Sequence, residues 1–351
     1  MTPPHSVSEI SGDRQQSRTM KAIVQTAYGS AEVLKLETVD QPVMPGATVP
    51  DDKVLVRVYA SSINAGDWHL MRGTPFLIRF IFGGIFRPKI KTLGCDVAGR
   101  VEAVGRGVTQ FQPGDEVFGE LSACGFGAFA EYVCVPATAL ALKPVNASFE
   151  AAAAVPTSAL TALQGLRDIG QIQPGQRVLI TGASGGVGSF AVQIAKAFGA
   201  QVTALCSPQK MDRVRSLGAD QVIDSSQVDI TQAGQRYDVI FDAAAYRSVF
   251  DYFSILPPQG TYIMVGGSTT RLFQVMLLGG LIARWSHRTV KCLVQKSSQA
   301  DLIALKDLIE AGAIAPCLDR CYELSEIATA ISALEQRQVQ GKVAIRMGQS
   351  A

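Results

Sequence analysis

The sequence lacks an excess of charge of either sign. Among 351 residues, 32 Lys and Arg stand against 30 Asp and Glu, and the net charge is +2. Nucleic acids and anionic membranes usually attract proteins with a clear basic excess, so the overall balance indicates neither partner. Aromatic residues make up only 7% of the chain, which argues against a surface that stacks bases. We expect no nucleic-acid partner.

The sequence also lacks a long hydrophobic run. The most apolar stretch is residues 272–283, whereas about 20 residues are needed to cross a bilayer. We therefore expect no membrane span. The first 19 residues are polar and no apolar core of a secretory signal follows them. We interpret residues 1–19 as a disordered tail, with organelle targeting as the alternative.

Cysteine is present in an odd number and at scattered positions. The seven residues do not form the regular pattern of a disulfide framework, so a reducing, cytoplasmic location is expected. Cys317 and Cys321 are the one close pair. With no histidine near them, this spacing is better explained as incidental than as a metal site.

The predicted fold class is α/β with two domains. Residues 20–145 contain short alternating segments and tight turns, which predict a small β-barrel-like domain. From residue 146 to 296, strands and helices alternate as in a doubly wound parallel sheet of the Rossmann type. Residues 297–351 mix helices with a terminal strand, and we expect them to pack back onto the first domain.

A glycine-rich turn between a strand and a helix is the strongest local signal. Residues 178–189 run from a buried strand through Ala183, Gly185 and Gly188 into a helix. Glycines allow a tight turn and a close approach of the backbone to a pyrophosphate, and the helix offers free N–H groups. A purely structural role in helix–sheet packing is the alternative. The predicted dinucleotide contacts in this turn are Ala183, Ser184, Gly185, Gly186, Val187 and Gly188.

The end of the next strand indicates which dinucleotide is bound. Sites that prefer NAD usually place an acidic residue there to bond the ribose hydroxyls, but this sequence has Ser207. Ser207, Lys210 and Arg213 could bind and neutralise a 2′-phosphate. The alternative is that the two basic residues only solvate the start of a helix. The sequence therefore favours NADPH.

Several motifs together identify a family. The chain resembles the medium-chain dehydrogenase/reductase superfamily over about residues 20–347, and within it the zinc-independent quinone oxidoreductase and enone reductase branch. The resemblance implies a GroES-like domain completed by the C-terminal tail, around a Rossmann domain. The matching stretches are residues 61–73, 93–105, 112–119, the glycine-rich turn, 217–220 and 341–345.

The same resemblance predicts that neither zinc site of the related alcohol dehydrogenases is present. Their three catalytic ligands correspond here to Asn64, Cys95 and Thr157, and one cysteine alone cannot hold zinc. The four-cysteine structural lobe is also missing, since only Cys124 and Cys134 occur in that region. We therefore expect no metal and no zinc-assisted alcohol oxidation.

The resemblance also implies which residues surround the nicotinamide and the substrate. The candidate catalytic residues are Asn64, as a hydrogen-bond donor to a carbonyl oxygen, and His69, which stands where several relatives carry a tyrosine. The alternatives are that Asn64 caps a turn and that His69 packs against Trp68. The further cofactor contacts expected are Thr157, Thr161, Asp242, Val265, Gly266 and Gly267.

The sequence therefore predicts an NADPH-dependent reductase of quinones or α,β-unsaturated carbonyls. This chemistry suits a zinc-free site because the cofactor supplies the hydride. The alternatives are a zinc-free alcohol or carbonyl oxidoreductase and a cofactor-binding redox sensor or other non-enzymatic relative. A homodimer is expected from the branch. Two apolar stretches, residues 76–86 and 272–285, could form a hydrophobic pocket, a dimer surface or a membrane-surface contact.

Overall fold

A computed structural model describes residues 19–43, 48–82 and 84–348 of the chain. The strands are β1 (Thr19–Val24), β2 (Lys35–Asp40), β3 (Lys53–Ser62), β4 (Asp96–Val104), β5 (Glu116–Glu120), β6 (Tyr132–Pro136), β7 (Leu140–Leu142), β8 (Arg177–Thr181), β9 (Gln201–Cys206), β10 (Gln221–Asp224), β11 (Val239–Asp242), β12 (Thr261–Met264), β13 (Thr289–Cys292), β14 (Leu318–Glu323) and β15 (Lys342–Arg346). The α-helices are α1 (Ala65–Arg72), α2 (Leu77–Ile81), α3 (Phe149–Ala153), α4 (Pro156–Gln164), α5 (Gly186–Ala197), α6 (Met211–Ser216), α7 (Thr269–Ser286), α8 (Gln299–Glu310) and α9 (Ile327–Glu335).

Strands from the first part of the chain and the last two strands form a mostly antiparallel sheet. Its order is β14-β15-β3-β4-β5-β7, and β6 also pairs with β3. Only β14 and β15 run parallel to each other. In the long strand β3, Val54, Val56 and Val58 stand at every second position and are buried in one apolar core, so this face packs as the sequence pattern predicts. Among the buried side chains of this core are Val54, Val56, Leu93, Val97, Phe129 and Ile345.

The second sheet is parallel and has the order β10-β9-β8-β11-β12-β13. Its central strands are apolar on both faces, because Val178 and Ile180 of β8 enter one core while Leu179 enters the other. Helices must therefore cover both sides of the sheet. This arrangement confirms the predicted doubly wound α/β fold.

The C-terminal residues return to the first sheet. Strand β15 pairs antiparallel with β3, with Ile345 opposite Ser61, and α9 packs its apolar face into the same core. The return of the last strand agrees with the expectation from the sequence. The domain boundaries at residues 145/146 and 296/297 stay a prediction.

Local differences from the sequence predictions have simple physical causes. Helix α4 begins at Pro156, since proline is favoured in the first helical turn, and it continues as a π-helical turn, Gly165–Ile169. Thr19, assigned to the disordered tail, is the first residue of β1 and pairs with Asp40. The rest of that tail lies outside the described residues. Within the described part of the chain, no helix is both long enough and apolar enough to cross a membrane.

Candidate functional site

The candidate site lies at the carboxyl edge of the parallel sheet. The strand order reverses between β8 and β11, and ligands of open α/β sheets bind outside the carboxyl ends of strands at such a point. The glycine-rich turn follows β8 and leads into α5. The predicted dinucleotide site therefore occupies the position that the sheet topology favours.

Close backbone contacts require two of the glycines in this turn. Gly182 has a φ of +63°, in the left-handed region, and a Cβ there would lie 2.9 Å from the Cβ of Ala244. A Cβ on Gly188 would lie 2.1 Å from the carbonyl oxygen of Gly182. The turn is therefore tight enough to present the first N–H groups of α5, which have no partner within the helix, to a phosphate.

The six predicted contacts of the turn differ in exposure. Ala183 and Gly188 are buried, whereas Ser184, Gly185, Gly186 and Val187 keep part of their surface. The four partly exposed residues are thus accessible to a dinucleotide, and the two buried ones shape the turn.

The C-terminal strand holds this turn in place. Gly341 donates its N–H to the carbonyl oxygen of Ser184 over 2.8 Å. Gly341 has a φ of +90°, and a Cβ on it would lie 2.1 Å from the carbonyl oxygen of Cys317. The cofactor turn is therefore bonded directly to the start of β15, a strand of the other sheet.

A buried cluster around Asp96 joins the antiparallel sheet to helix α4. The Asp96 side chain is fully buried and accepts hydrogen bonds from Ser62 Oγ (2.5 Å) and Asn64 Nδ2 (2.9 Å) on one oxygen. Its other oxygen accepts from the N–H (2.8 Å) and hydroxyl (2.6 Å) of Thr157. This many donors offset the loss of water around a buried carboxylate.

Lys342 supplies the charge opposite Asp96. Its buried Nζ lies 3.3 Å from Asp96 Oδ2, and it donates to Asn64 Oδ1 over 2.5 Å and to the carbonyl oxygen of Ile63 over 3.2 Å. A Cβ on Gly186 would lie 2.8 Å from Cδ of Lys342. The ion pair therefore sits directly beneath the cofactor turn.

The three residues at the zinc-ligand positions come together in this cluster. Cys95 Sγ lies 3.3 Å from Asn64 Nδ2 and 3.3 Å from Thr157 Oγ1. Burial raises the pKa of the Cys95 thiol well above its usual value, and the carboxylates of Asp67 and Asp96 add to the shift. In the described part of the chain, no group of three or more His, Cys, Asp or Glu side chains is arranged to hold a metal ion.

Asn64 is brought to the site, but its side chain is already engaged. Its amide donates to Asp96 and Cys95 and accepts from Lys342. Asn64 also stands at the start of α1, where it forms a capping box with Asp67, whose carboxylate accepts the Asn64 backbone N–H over 2.8 Å. Both donor hydrogens of Asn64 are therefore used within the protein, which leaves none for a substrate carbonyl.

His69 is not part of the cluster. Its ring stacks on Trp68 with centroids 3.9 Å apart, and Nδ1 lies 2.7 Å from the carbonyl oxygen of Thr74. A carbonyl only accepts hydrogen bonds, so Nδ1 carries the proton. Burial lowers the pKa of His69. This environment favours the packing alternative over the predicted proton donor.

At the ribose end, Ser207 and Lys210 lie together after β9. Ser207 is partly exposed. Lys210 Nζ donates to the carbonyl oxygens of Val339 (2.8 Å) and Arg337 (3.4 Å), which brings Arg337 next to it. Arg213 instead turns to the C-terminal segment, where its guanidinium bonds Cys317 Sγ and the carbonyl of Leu318.

At the nicotinamide end, the predicted residues fall into two groups. Val265, Gly266 and Gly267 are partly or fully exposed. Gly267 has a φ of +135°, and a Cβ there would lie 2.5 Å from the backbone of Ala245. The second group is directed inward: Asp242 is buried and accepts from Thr181 and Tyr262, and Thr161 donates to the carbonyl of Thr157 over 2.6 Å.

Sequence reasoning missed Asp96, Lys342 and Arg337. Asp96 and Lys342 were part of the recognised motifs, but only folding brings the last strand beside the fourth. Arg337 carried no sequence signal. It donates to the hydroxyl of Tyr246 over 2.8 Å and covers that ring at 4.8 Å, so it lies between Lys210 and the residues after β11.

Comparison with known proteins agrees with this fold. The family model described as the alcohol dehydrogenase GroES-like domain matches residues 50–145, and one described as zinc-binding dehydrogenase matches residues 217–345. The NADPH-dependent alkenal/one oxidoreductase, chloroplastic, of Arabidopsis thaliana is 33% identical over 347 residues, covering 96% of this chain and 82% of the relative.

Two further relatives lie in the same branch. The 2-methylene-furan-3-one reductase of Solanum lycopersicum is 33% identical and covers 93% of this chain and 79% of its own length. The structure of the quinone oxidoreductase from Coxiella burnetii superposes with a TM-score of 0.81 at 28% identity, covering 94% of this chain and 99% of that one.

The chain belongs to the medium-chain dehydrogenase/reductase superfamily. Within it, the chain falls in the quinone and enone oxidoreductase branch, and it is an oxidoreductase that uses a nicotinamide cofactor.

The buried carboxyl of Asp67 predicts how stability depends on pH. Burial raises the pKa of Asp67 to about 7, although the N–H groups of Asn64 and Gly94 bond it. The folded protein thus keeps a proton on Asp67 that the unfolded chain releases near pH 4. The contribution of Asp67 to stability is therefore complete below about pH 4 and is lost as the pH rises to about 7. Across that window we expect the free energy of unfolding of wild type to fall with pH more steeply than that of Asp67→Asn, by up to about 1.4 kcal/mol per pH unit.

Urea unfolding of both proteins at several pH values within this window measures the two slopes. Asp67→Asn will be less stable overall, because an amide nitrogen cannot accept from a backbone N–H, so the slope and not the absolute stability is the readout. Asp212→Asn, at an almost fully exposed position, is the control and should keep the wild-type slope. Equal slopes in wild type and Asp67→Asn would contradict the assignment.

Proposed function

We propose that this protein reduces quinones or α,β-unsaturated carbonyl compounds with NADPH and without zinc. The observation that carries the proposal is the cluster at the zinc-ligand positions, where Cys95 bonds Asn64 and Thr157 and both of these donate to Asp96. A set of one amide, one protonated thiol and one hydroxyl is a poor ligand set for zinc. The names of the relatives, an alkenal/one oxidoreductase and a quinone oxidoreductase, support the same substrates.

The residues of the site fit a nicotinamide dinucleotide. The turn leaves no room for a side chain at Gly182 and Gly188, while the four residues 184–187 stay partly exposed. We propose that this turn and the start of α5 hold the pyrophosphate, and that Val265, Gly266 and Gly267 border the nicotinamide. When bound, the cofactor supplies the hydride that reduces the acceptor.

NADPH is favoured over NADH by the charges after β9. Ser207 stands where an acidic residue would repel a 2′-phosphate, and its hydroxyl bonds no residue that the structure describes. Lys210 uses two of its three hydrogens on backbone carbonyls, which holds its ammonium in place with one donor left. Arg337 beside it adds a second positive charge. We propose Ser207, Lys210 and Arg337 as the 2′-phosphate contacts.

The protein's own residues act mainly by positioning. Asn64 and Thr157 hold the Asp96–Lys342 pair, which keeps the cofactor turn at a fixed distance from the first sheet. Their hydrogens are bonded within the cluster, and His69 points its N–H at Thr74. We therefore propose that the proton that completes the reduction comes from water, which suffices for a conjugated acceptor whose oxygen takes up the charge.

Two further properties complete the proposal. A cytoplasmic location is supported by seven free cysteines, as a reducing compartment would keep them. A homodimer is supported by the edge of the parallel sheet, where β13 has no second neighbour among the described strands. Beside it, α7 exposes Met276, Leu277, Leu281 and Trp285, and an unpaired strand next to an apolar helix face is typical of a subunit interface.

The activity is tested by steady-state oxidation of NADPH and NADH with 1,4-benzoquinone, 9,10-phenanthrenequinone, an enal and an enone. We expect turnover with NADPH that a chelator does not reduce, in protein whose metal content is well below one zinc per chain. Loss of activity with the chelator would favour a zinc-dependent alcohol or carbonyl oxidoreductase. Tight NADPH binding without turnover of any acceptor would favour the redox sensor.

Cofactor choice is tested at Lys210. A charge-assisted hydrogen bond to a phosphate is worth about 1.5–3 kcal/mol, so Lys210→Met should raise KM for NADPH roughly tenfold or more. KM for NADH should change little, because NADH has no 2′-phosphate. Arg215→Met is the matched control, since Arg215 pairs with Asp212 at the surface. An equal rise of KM for NADPH and for NADH would show that Lys210 only holds the Val339 segment.

The dimer is tested on α7. Light scattering with size-exclusion chromatography should give a dimer for wild type and a monomer for Leu277→Glu/Leu281→Glu, because burying two carboxylates in an apolar interface is costly. Ile303→Glu, at a half-exposed apolar position on α8, is the control and should stay dimeric. A monomeric wild type, or a dimer that the double variant leaves intact, would refute this interface.

A further inference from the structure

The charge of the chain is distributed unevenly, and one connection is purely basic. Residues 73–95, between α1 and β4, contain Arg79, Arg87, Lys89 and Lys91 and no acidic residue. This connection has a charge of +4, whereas the whole chain has a net charge of +2. The rest of the chain therefore has a net charge of −2. The overall balance, which gave no sign of an anionic partner, therefore conceals a local basic region.

The same connection exposes an unusual amount of apolar surface. Phe86 is 91% exposed, Ile81 66% and Phe80 55%, and Phe76, Leu77, Phe82 and Ile85 are also exposed. We refer to the described residues from 76 to 91 as the 76–91 surface. Large aromatic and aliphatic side chains are seldom left in water together unless they meet a partner.

The 76–91 surface is held in place by its own contacts. The Arg79 guanidinium covers the Tyr28 ring at 4.4 Å and donates to the carbonyl of Gly73 over 2.9 Å. Tyr28 donates its hydroxyl to the carbonyl of Gly84 over 2.6 Å, and the Phe82 ring meets Phe126 at 5.7 Å. The exposed apolar side chains are thus presented on a supported backbone.

The three remaining cations are available to a partner. Arg87, Lys89 and Lys91 are exposed, and none of them forms an ion pair with an acidic residue in the part of the chain that the structure describes. They alternate in sequence with Phe86 and Ile90. Apolar side chains and unpaired cations side by side match the interface of a membrane with anionic lipids, where acyl chains and phosphate groups meet.

We propose that the 76–91 surface docks the protein on an anionic lipid membrane, with Phe80, Ile81 and Phe86 entering the interface and Arg87, Lys89 and Lys91 on the lipid phosphates. A second copy of the chain fits less well, because a two-fold contact would set these cations against each other with no acidic residue to pair them. The length of the connection suits shallow, reversible contact and not a span.

The position of the surface links it to the site. Helix α1 starts directly after Asn64 of the buried cluster and ends before Gly73, where the basic connection begins. Eight residues of helix span about 12 Å. Docking would therefore bring the site close to the membrane, where apolar quinones or enones dissolve. This consequence for the acceptor rests on the proposed function, whereas the docking itself does not.

Sedimentation of the full chain with vesicles tests the docking. We expect at least tenfold stronger partitioning onto vesicles of phosphatidylcholine with phosphatidylglycerol than onto phosphatidylcholine alone, and a marked decrease at high salt. Ile81→Ser/Phe86→Ser and Arg87→Gln/Lys89→Gln should each lower partitioning at least fivefold. Val145→Ser/Val228→Ser, which removes exposed apolar side chains elsewhere, is the matched control and should bind as wild type does.

The outcomes separate docking from the other uses of this surface and from the reductase activity. No preference of wild type for the anionic vesicles, or unchanged binding of both test variants, would overturn the proposal. A test variant that binds vesicles normally but changes the oligomeric state in light scattering would assign the surface to self-association instead. Sedimentation needs no cofactor or turnover, so it remains decisive even if no acceptor is reduced.

Discussion

The buried pair of Lys342 and Asp96 is the contact on which the rest of the site depends. Lys342 comes from the last strand and Asp96 from the fourth, and Thr157 adds a bond from α4. A buried charge that loses its partner is strongly destabilising, so these segments cannot shift independently. The pair lies within the antiparallel sheet, and two bonds connect it to the other part of the chain: Gly341, next to Lys342, bonds Ser184 of the cofactor turn, and Thr157 of α4 bonds Asp96.

The residues at the positions of the zinc ligands of related alcohol dehydrogenases take part in this constraint. Asn64 and Thr157 donate to Asp96, and Cys95 is packed between them as a protonated thiol. The polar side chains of the cluster satisfy one another, which a buried network requires for stability. Chemistry at such a site relies on placing the cofactor and the acceptor together, and this suits acceptors that need little acid assistance.

Two apolar surfaces distinguish this chain from a simple two-domain enzyme, and their surroundings differ. The exposed face of α7 lies beside the unpaired strand β13, where main-chain hydrogen bonds are available to another subunit. The 76–91 surface instead carries unpaired cations beside its aromatic side chains. Backbone donors favour a protein partner, and cations favour an anionic partner. Two similarly hydrophobic stretches of sequence therefore point to different partners, because different groups lie beside them in the structure.

The sequence alone determined the features that depend on neighbouring residues: the alternation of strands and helices, the glycine-rich turn, and Ser207 in place of an acid. Each arises from local backbone freedom or from the period of side chains, which a linear pattern displays. Only the tertiary structure decided that Asn64 has no free donor, that His69 bonds Thr74, and that Lys342 and Arg337 reach the site. These contacts join residues up to 279 positions apart, and no local pattern records which distant groups use up a side chain's hydrogen bonds.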